Sequence, residues 1–239
     1  MDHGIIISLL CTIIGAIPAF CMKNITHKGK DNLLAYSAGI MVAASTYGLI
    51  PSALKLSNMI VLTAGMILGV IIFTILEIVL PHVEIDNSSH SFNHAAPILF
   101  ITAMAIHNIP EGLSIGVSYG DADDGLGPLV SFAIGVQNIP EGFLITLFLL
   151  TSNTPKIKAF ILTTLTAVVE LLASLVGYFF AAHFENIVPY GLAFAAGGML
   201  FVVYKEVIPE SHGDGNERTA TFAFILGLLS MIGFTEWAR

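Results

Sequence analysis

Charge is what this 239-residue chain has least of. Only 11% of its residues are Asp, Glu, Lys or Arg, against roughly 25% in a soluble globular protein. Lys and Arg number 9 against 17 Asp and Glu, for a net charge of −8. So few cations exclude a nucleic-acid partner. The two cysteines, Cys11 and Cys21, form no CxxC pair and imply no disulfide framework; both read as small buried residues of the first apolar segment. A Walker A motif is missing, which removes direct ATP coupling, and so is the HExxH of metalloproteases. Ten-residue segments of alternating polarity, the mark of a membrane barrel, are absent as well.

What the chain does have is apolar length. It is 55% hydrophobic with a mean hydropathy of +0.85. Runs of about 20 apolar residues, enough to cross a bilayer as helix, recur throughout. The expected fold class is therefore an all-α integral membrane protein embedded in the lipid bilayer, one domain over 1–239. The pattern predicts an eight-helix bundle with helices at about 4–22, 32–52, 58–80, 95–119, 127–150, 158–182, 187–208 and 219–236. Ile50-Pro51 and Leu80-Pro81 are expected to stop the second and third helices, because proline disfavours helix in the residue before it. No basic region precedes the first segment, so it reads as a retained helix and not a signal peptide.

Basic residues set the orientation. With both termini outside, Lys23, Lys28, Lys30, Lys156, Lys158, Lys205 and Arg218 fall on the cytoplasmic side, and only Lys55 and Arg239 outside. The sequons at Asn24 and Asn87 are then cytoplasmic and are not expected to carry glycans. Gly65 and Gly69 form a GxxxG, and Gly191, Ala195, Ala196, Gly197 and Gly198 line the seventh segment. Both features indicate close helix packing.

Against this apolar background, residues 107–112 read HNIPEG and residues 137–142 read QNIPEG. A charge at mid-bilayer costs a few kcal/mol on insertion scales. Even so, Glu111, Glu141 and Glu170 all sit well inside apolar segments with no intramembrane Lys or Arg nearby in sequence. The missing partner is a cation. His107 and Glu111 are i and i+4 and share a helix face, as do Gln137 and Glu141; Asn108 and Asn138 lie one residue round. Pro110 and Pro140 each remove a backbone donor, leaving the carbonyls of Ile106 and Val136 without their usual partners and kinking the two central helices. Gly112 and Gly142 allow another helix to come close.

The fourth and fifth helices run in opposite directions, so the two hexapeptides form an inverted pair. Such pairs point to a midplane transport site. Imidazole, carboxylate and amide oxygen together suit Zn²⁺, and also Fe²⁺, Mn²⁺, Co²⁺ or Cd²⁺, whereas the lack of thiolates disfavours Cu(I). Polar residues that merely glue helices together would look similar singly, but not as a duplicated hexapeptide plus a third carboxylate. An intramembrane metalloenzyme, and a cation or proton channel using the same carboxylates, are the competing readings. The enzyme lacks an unassigned Glu beside His107 to act as general base.

These residues resemble the ZIP (Zrt/Irt-like) family of divalent-metal transporters, in its GufA-like bacterial branch. The likeness spans essentially the whole chain, through the eight-helix layout, HNIPEG, QNIPEG, and AAGGMLFVVYKEVIPESH at 195–212. It implies a transport domain that imports Zn²⁺ or another divalent metal as substrate, not cofactor, across a bacterial inner membrane. It also implies a binuclear centre. A first position would use His107, Glu111, Gln137 and Glu141, and a second Asn108, Glu111, Asn138, Glu141 and Glu170, with Glu111 and Glu141 bridging. Gln137 stands where many members carry His, and Asn138 where some carry Asp. The resemblance further implies movement of helices 1, 4, 5 and 6 against 2, 3, 7 and 8. Pairing of two copies as a homodimer is left open.

Further polar residues carry two readings each. Glu206, Glu210 and His212 end the seventh helix and resemble an exit route for metal, or are an ordinary charged helix end. Glu77 could join them. His82, Glu84, Asp86, His90 and His94 lie in the cytoplasmic connection 81–94, as a metal-receiving loop or a plain solvated one. Asp121, Asp123 and Asp124 make an outer acidic turn. His3 and His183 have no ligand pattern around them.

Overall fold

The computed structural model describes residues 2–21, 26–79, 96–119, 125–213 and 215–237. The described residues form helices and turns, with no strand. They comprise α1 (Asp2–Ala19), α2 (His27–Leu56), α3 (Met59–Val79), α4 (Ala96–Ser118), α5 (Leu126–Thr151), α6 (Lys156–His183), α7 (Val188–Ser211) and α8 (Glu217–Trp237). Six of these, α2, α3, α5, α6, α7 and α8, are long and apolar enough to cross a membrane. At 23 residues, α4 reaches about 34 Å.

Two boundaries differ from expectation for one physical reason. Neither α2 nor α7 stops at its Ile-Pro pair. In each, a short π-helical segment comes first, Ala44–Leu49 in α2 and Val203–Val207 in α7. There the N–H of Ile50 reaches the carbonyl of Ser45, and that of Ile208 the carbonyl of Val203, five residues back. The widened turn accommodates the following proline, and the helices continue to Leu56 and Ser211. α4 and α5 likewise run on through Pro110 and Pro140. The expected stop at Leu80-Pro81 falls outside the described residues. The cysteine expectation is also corrected: α1 ends at Ala19, Cys21 is exposed beyond it, and Cys11 is only partly buried.

Four helix pairs dominate the packing: α1 with α5, α4 with α6, α2 with α8, and α3 with α7. Small residues bring them together. A Cβ on Gly142 would lie 2.1 Å from the Thr12 carbonyl oxygen of α1, and one on Gly112 2.2 Å from the Glu170 carbonyl oxygen of α6. The GxxxG of α3 meets α7 as its pattern indicates, with Gly69 against Phe194 and Gly198. Exchanging helices 1, 2, 3 and 4 with 6, 7, 8 and 5 leaves this list of pairs unchanged. That is inverted-repeat character expressed as packing. It also separates α1, α4, α5 and α6 from α2, α3, α7 and α8. The main bridges between the two groups are α4 to α7 and α2 to α5.

Candidate metal centre

The seven residues singled out on α4, α5 and α6 converge. His107, Asn108, Glu111, Gln137, Asn138, Glu141 and Glu170 are all buried. The i,i+4 spacing places His107 Nε2 3.5 Å from Glu111 Oε1 on α4. Because α5 runs antiparallel beside α4, its own i,i+4 pair meets the first. Gln137 Nε2 donates to Glu111 Oε1 and, at 3.4 Å, to Glu141 Oε2. Ligand atoms of His107, Glu111 and Glu141 all lie within 4.8 Å of one another, close enough to share one ion.

The acceptor inventory indicates what is missing. Asn108 Oδ1, Glu111 Oε2, Gln137 Oε1, Asn138 Oδ1 and Glu141 Oε1 are buried without a hydrogen-bond partner among the described residues. Leaving one such atom unsatisfied costs about 1–3 kcal/mol, and more for a charged group. Those of Glu111, Gln137 and Glu141 belong to one hydrogen-bonded cluster and are oxygens suited to a divalent cation, with His107 adding a nitrogen.

The one-residue offset of the asparagines has a visible consequence. Asn108 Nδ2 donates to the Thr166 carbonyl on α6 at 3.2 Å. Asn138 Nδ2 donates to Glu170 Oε2 on α6 at 2.7 Å and to Ser8 Oγ on α1 at 2.9 Å. Ser8 in turn donates to Glu170 Oε1. Sequence reasoning did not pick out Ser8. Its only signal is that Ser8 and the buried Thr12 stand i,i+4 on an otherwise apolar helix.

A family profile described as ZIP Zinc transporter matches residues 84–235. Zinc transporter GufA of Myxococcus xanthus is 32% identical over 96% of this chain and 96% of its own length. The chain belongs to the ZIP family. Zinc transporter ZIPB of Bordetella bronchiseptica is 34% identical over 92% of the chain and 75% of its own length. Zinc transporter ZupT of Streptococcus mutans is 28% identical over 93% and 91%. The HNIPEG and QNIPEG segments that led to the centre lie within the ZIP-matched region.

The remaining candidates divide by position. Glu206 reaches back from α7, with Oε2 4.0 Å from His107 Nδ1, and so links the centre to the other helix group. Glu77 joins this region through a 3.2 Å ion pair with Lys205. Glu210 lies farther along α7 and pairs with Lys30 at 2.8 Å. His212 is half-buried past the end of α7 and is not gathered with the central ligands. His82, Glu84, Asp86, His90, His94, Asp121, Asp123 and Asp124 fall outside the described residues. His183 contacts the Phe179 carbonyl of its own helix at 2.8 Å.

Proposed function

We propose that this ZIP-family chain imports divalent transition-metal cations, Zn²⁺ foremost and Fe²⁺, Mn²⁺, Co²⁺ or Cd²⁺ alongside it, across a bacterial inner membrane. The carrying observation is that ligand atoms of His107, Glu111 and Glu141 lie within 4.8 Å of one another, with Glu111 Oε2, Glu141 Oε1 and Gln137 Oε1 buried and unpartnered among the described residues. Zinc is the first choice because the relatives are zinc transporters by name and the donor set suits a borderline metal. The metal is substrate. No residue is assigned a catalytic role.

Hydrated metal exchanges its water for His107, Glu111, Gln137 and Glu141, then passes to Glu206, which stands 4.0 Å from His107. Glu77, Glu210 and Lys30 lie beyond, at the end of the bundle that the positive-inside rule assigns to the cytoplasm. The side chains become more exposed along this line, from 6% at His107 to 29% at Glu206 and 37% at Glu210. At the opposite end Tyr119 Oη and Ser131 Oγ are hydrogen-bonded at 3.0 Å, and a Cβ on Gly191 would lie 3.0 Å from Val117.

Uptake of Zn²⁺ into proteoliposomes tests the reading. Wild type should show saturable uptake that Cd²⁺ competes for, and Glu111→Ala and Glu141→Ala should each abolish it. Undiminished uptake in either variant would overturn the assignment of the centre.

A further inference from the structure

Glu170 differs from the other two membrane carboxylates in one respect: both of its oxygens already have donors. Oε1 accepts from Ser8 Oγ, and Oε2 accepts from Asn138 Nδ2 at 2.7 Å. The same amide nitrogen also donates to Ser8 Oγ at 2.9 Å. The three side chains thus form a closed triad contributed by α1, α5 and α6, and all three are buried. By contrast, Glu111 Oε2 and Glu141 Oε1 have no partner among the described residues. A buried carboxylate needs either donors or a cation, and charge-assisted hydrogen bonds are the stronger kind. At Glu170 donors fill the role; at Glu111 and Glu141 part of it stays open.

We propose that the Ser8 hydroxyl and the Asn138 amide stand in for a second metal ion on Glu170, so that the centre binds one divalent cation per chain, on His107, Glu111, Gln137 and Glu141. Ser8 is a positioning residue in this arrangement. It holds Glu170 and, with it, fixes the Asn138 amide so that only Oδ1 faces elsewhere. The packing symmetry supports an uneven centre. Gly112 abuts the backbone of Glu170, whereas its counterpart Gly142 abuts the backbone of Thr12. The α1 half therefore supplies hydroxyls where the α6 half supplies a carboxylate.

This inference rests on the proposed central site, and counting ions separates the two. Zn²⁺ bound at saturation to protein in nanodiscs is measured by equilibrium dialysis and elemental mass spectrometry. The count in the Glu111→Ala/Glu141→Ala variant is subtracted, which removes any metal held by loops. The expected difference is one ion per chain, with one corresponding ¹¹³Cd resonance in the Cd²⁺-loaded protein. Asn138→Asp replaces the donor amide with a carboxylate facing Glu170, and the difference should rise to two ions with a second resonance. Ser8→Ala should also admit a second, weaker Cd²⁺ ion, whereas Ser8→Thr keeps the hydroxyl and should restore the wild-type count. A difference of two in wild type overturns the triad inference and leaves the central site standing. A difference of zero overturns both. A count unchanged in folded Asn138→Asp overturns the inference even with one ion in wild type.

Discussion

His107 and Gln137 occupy matching places in two nearly identical hexapeptides, one offering an imidazole nitrogen and the other an amide oxygen. Nitrogen favours borderline Zn²⁺, while an added oxygen moves the set towards harder Fe²⁺ and Mn²⁺. Gln137→His should therefore raise the Zn²⁺/Mn²⁺ uptake ratio, measured by competition in proteoliposomes; an unchanged ratio would remove Gln137 as the selectivity position. Acid should lower apparent metal affinity, because His107 and the glutamates must be deprotonated to bind and protons therefore compete. A binding isotherm repeated at falling pH checks this, and the dissociation constant should rise. The buried polar cluster was legible in sequence because a carboxylate in an apolar helix is costly enough to need a reason. Ser8 was not. Many hydroxyls here, including Thr46, Thr74, Thr102 and Ser230, simply donate to their own helix four residues back, and sequence does not distinguish Ser8 from these.

At the scale of the helix, existence and order were readable from apolar length, while two ends were not. An Ile-Pro pair normally marks a boundary, but a π segment needs only one extra residue per turn, and no composition signal announces it. Glycine contacts were readable as a class and became specific only with the partner known. On α2, a Cβ on Gly39 would lie 2.1 Å from the Phe224 carbonyl oxygen of α8, whereas one on Gly48 meets nothing within 4 Å. Since the Phe224 carbonyl is backbone, α8 must move to admit the methyl group. Gly39→Ala should then destabilise the protein by about 1–3 kcal/mol, the usual cost of overpacking. Gly48→Ala should be neutral or slightly stabilising, since alanine is the better helix former. Thermal denaturation in detergent separates the two; equal melting temperatures would contradict the packing argument. Gly39 lies in the α2–α8 seam, and its substitution should leave the metal count unaltered.

Over the whole molecule, a carrier mechanism would require the centre to open alternately to each side. The packing suggests how. The four tight pairs lie within α1, α4, α5 and α6 or within α2, α3, α7 and α8, so relative movement of the two groups disturbs none of them. At the end away from Glu206 the groups meet where Val117 of α4 faces Gly191 of α7. A Cβ on Gly191 would stand 3.6 Å from that of Val117, within the roughly 3.5–4.5 Å of a disulfide. Val117→Cys with Gly191→Cys, made after Cys11 and Cys21 are changed to Ala, should therefore cross-link on mild oxidation. Linking the groups at this end should stop Zn²⁺ uptake, and reduction should restore it. Each single-cysteine protein should transport under either condition, which excludes damage by the oxidant. Zn²⁺ binding should survive the cross-link, because it alters none of the proposed ligands. Full uptake by the oxidised, cross-linked protein would mean that the Val117–Gly191 contact need not part, and that metal passes without the two groups separating there.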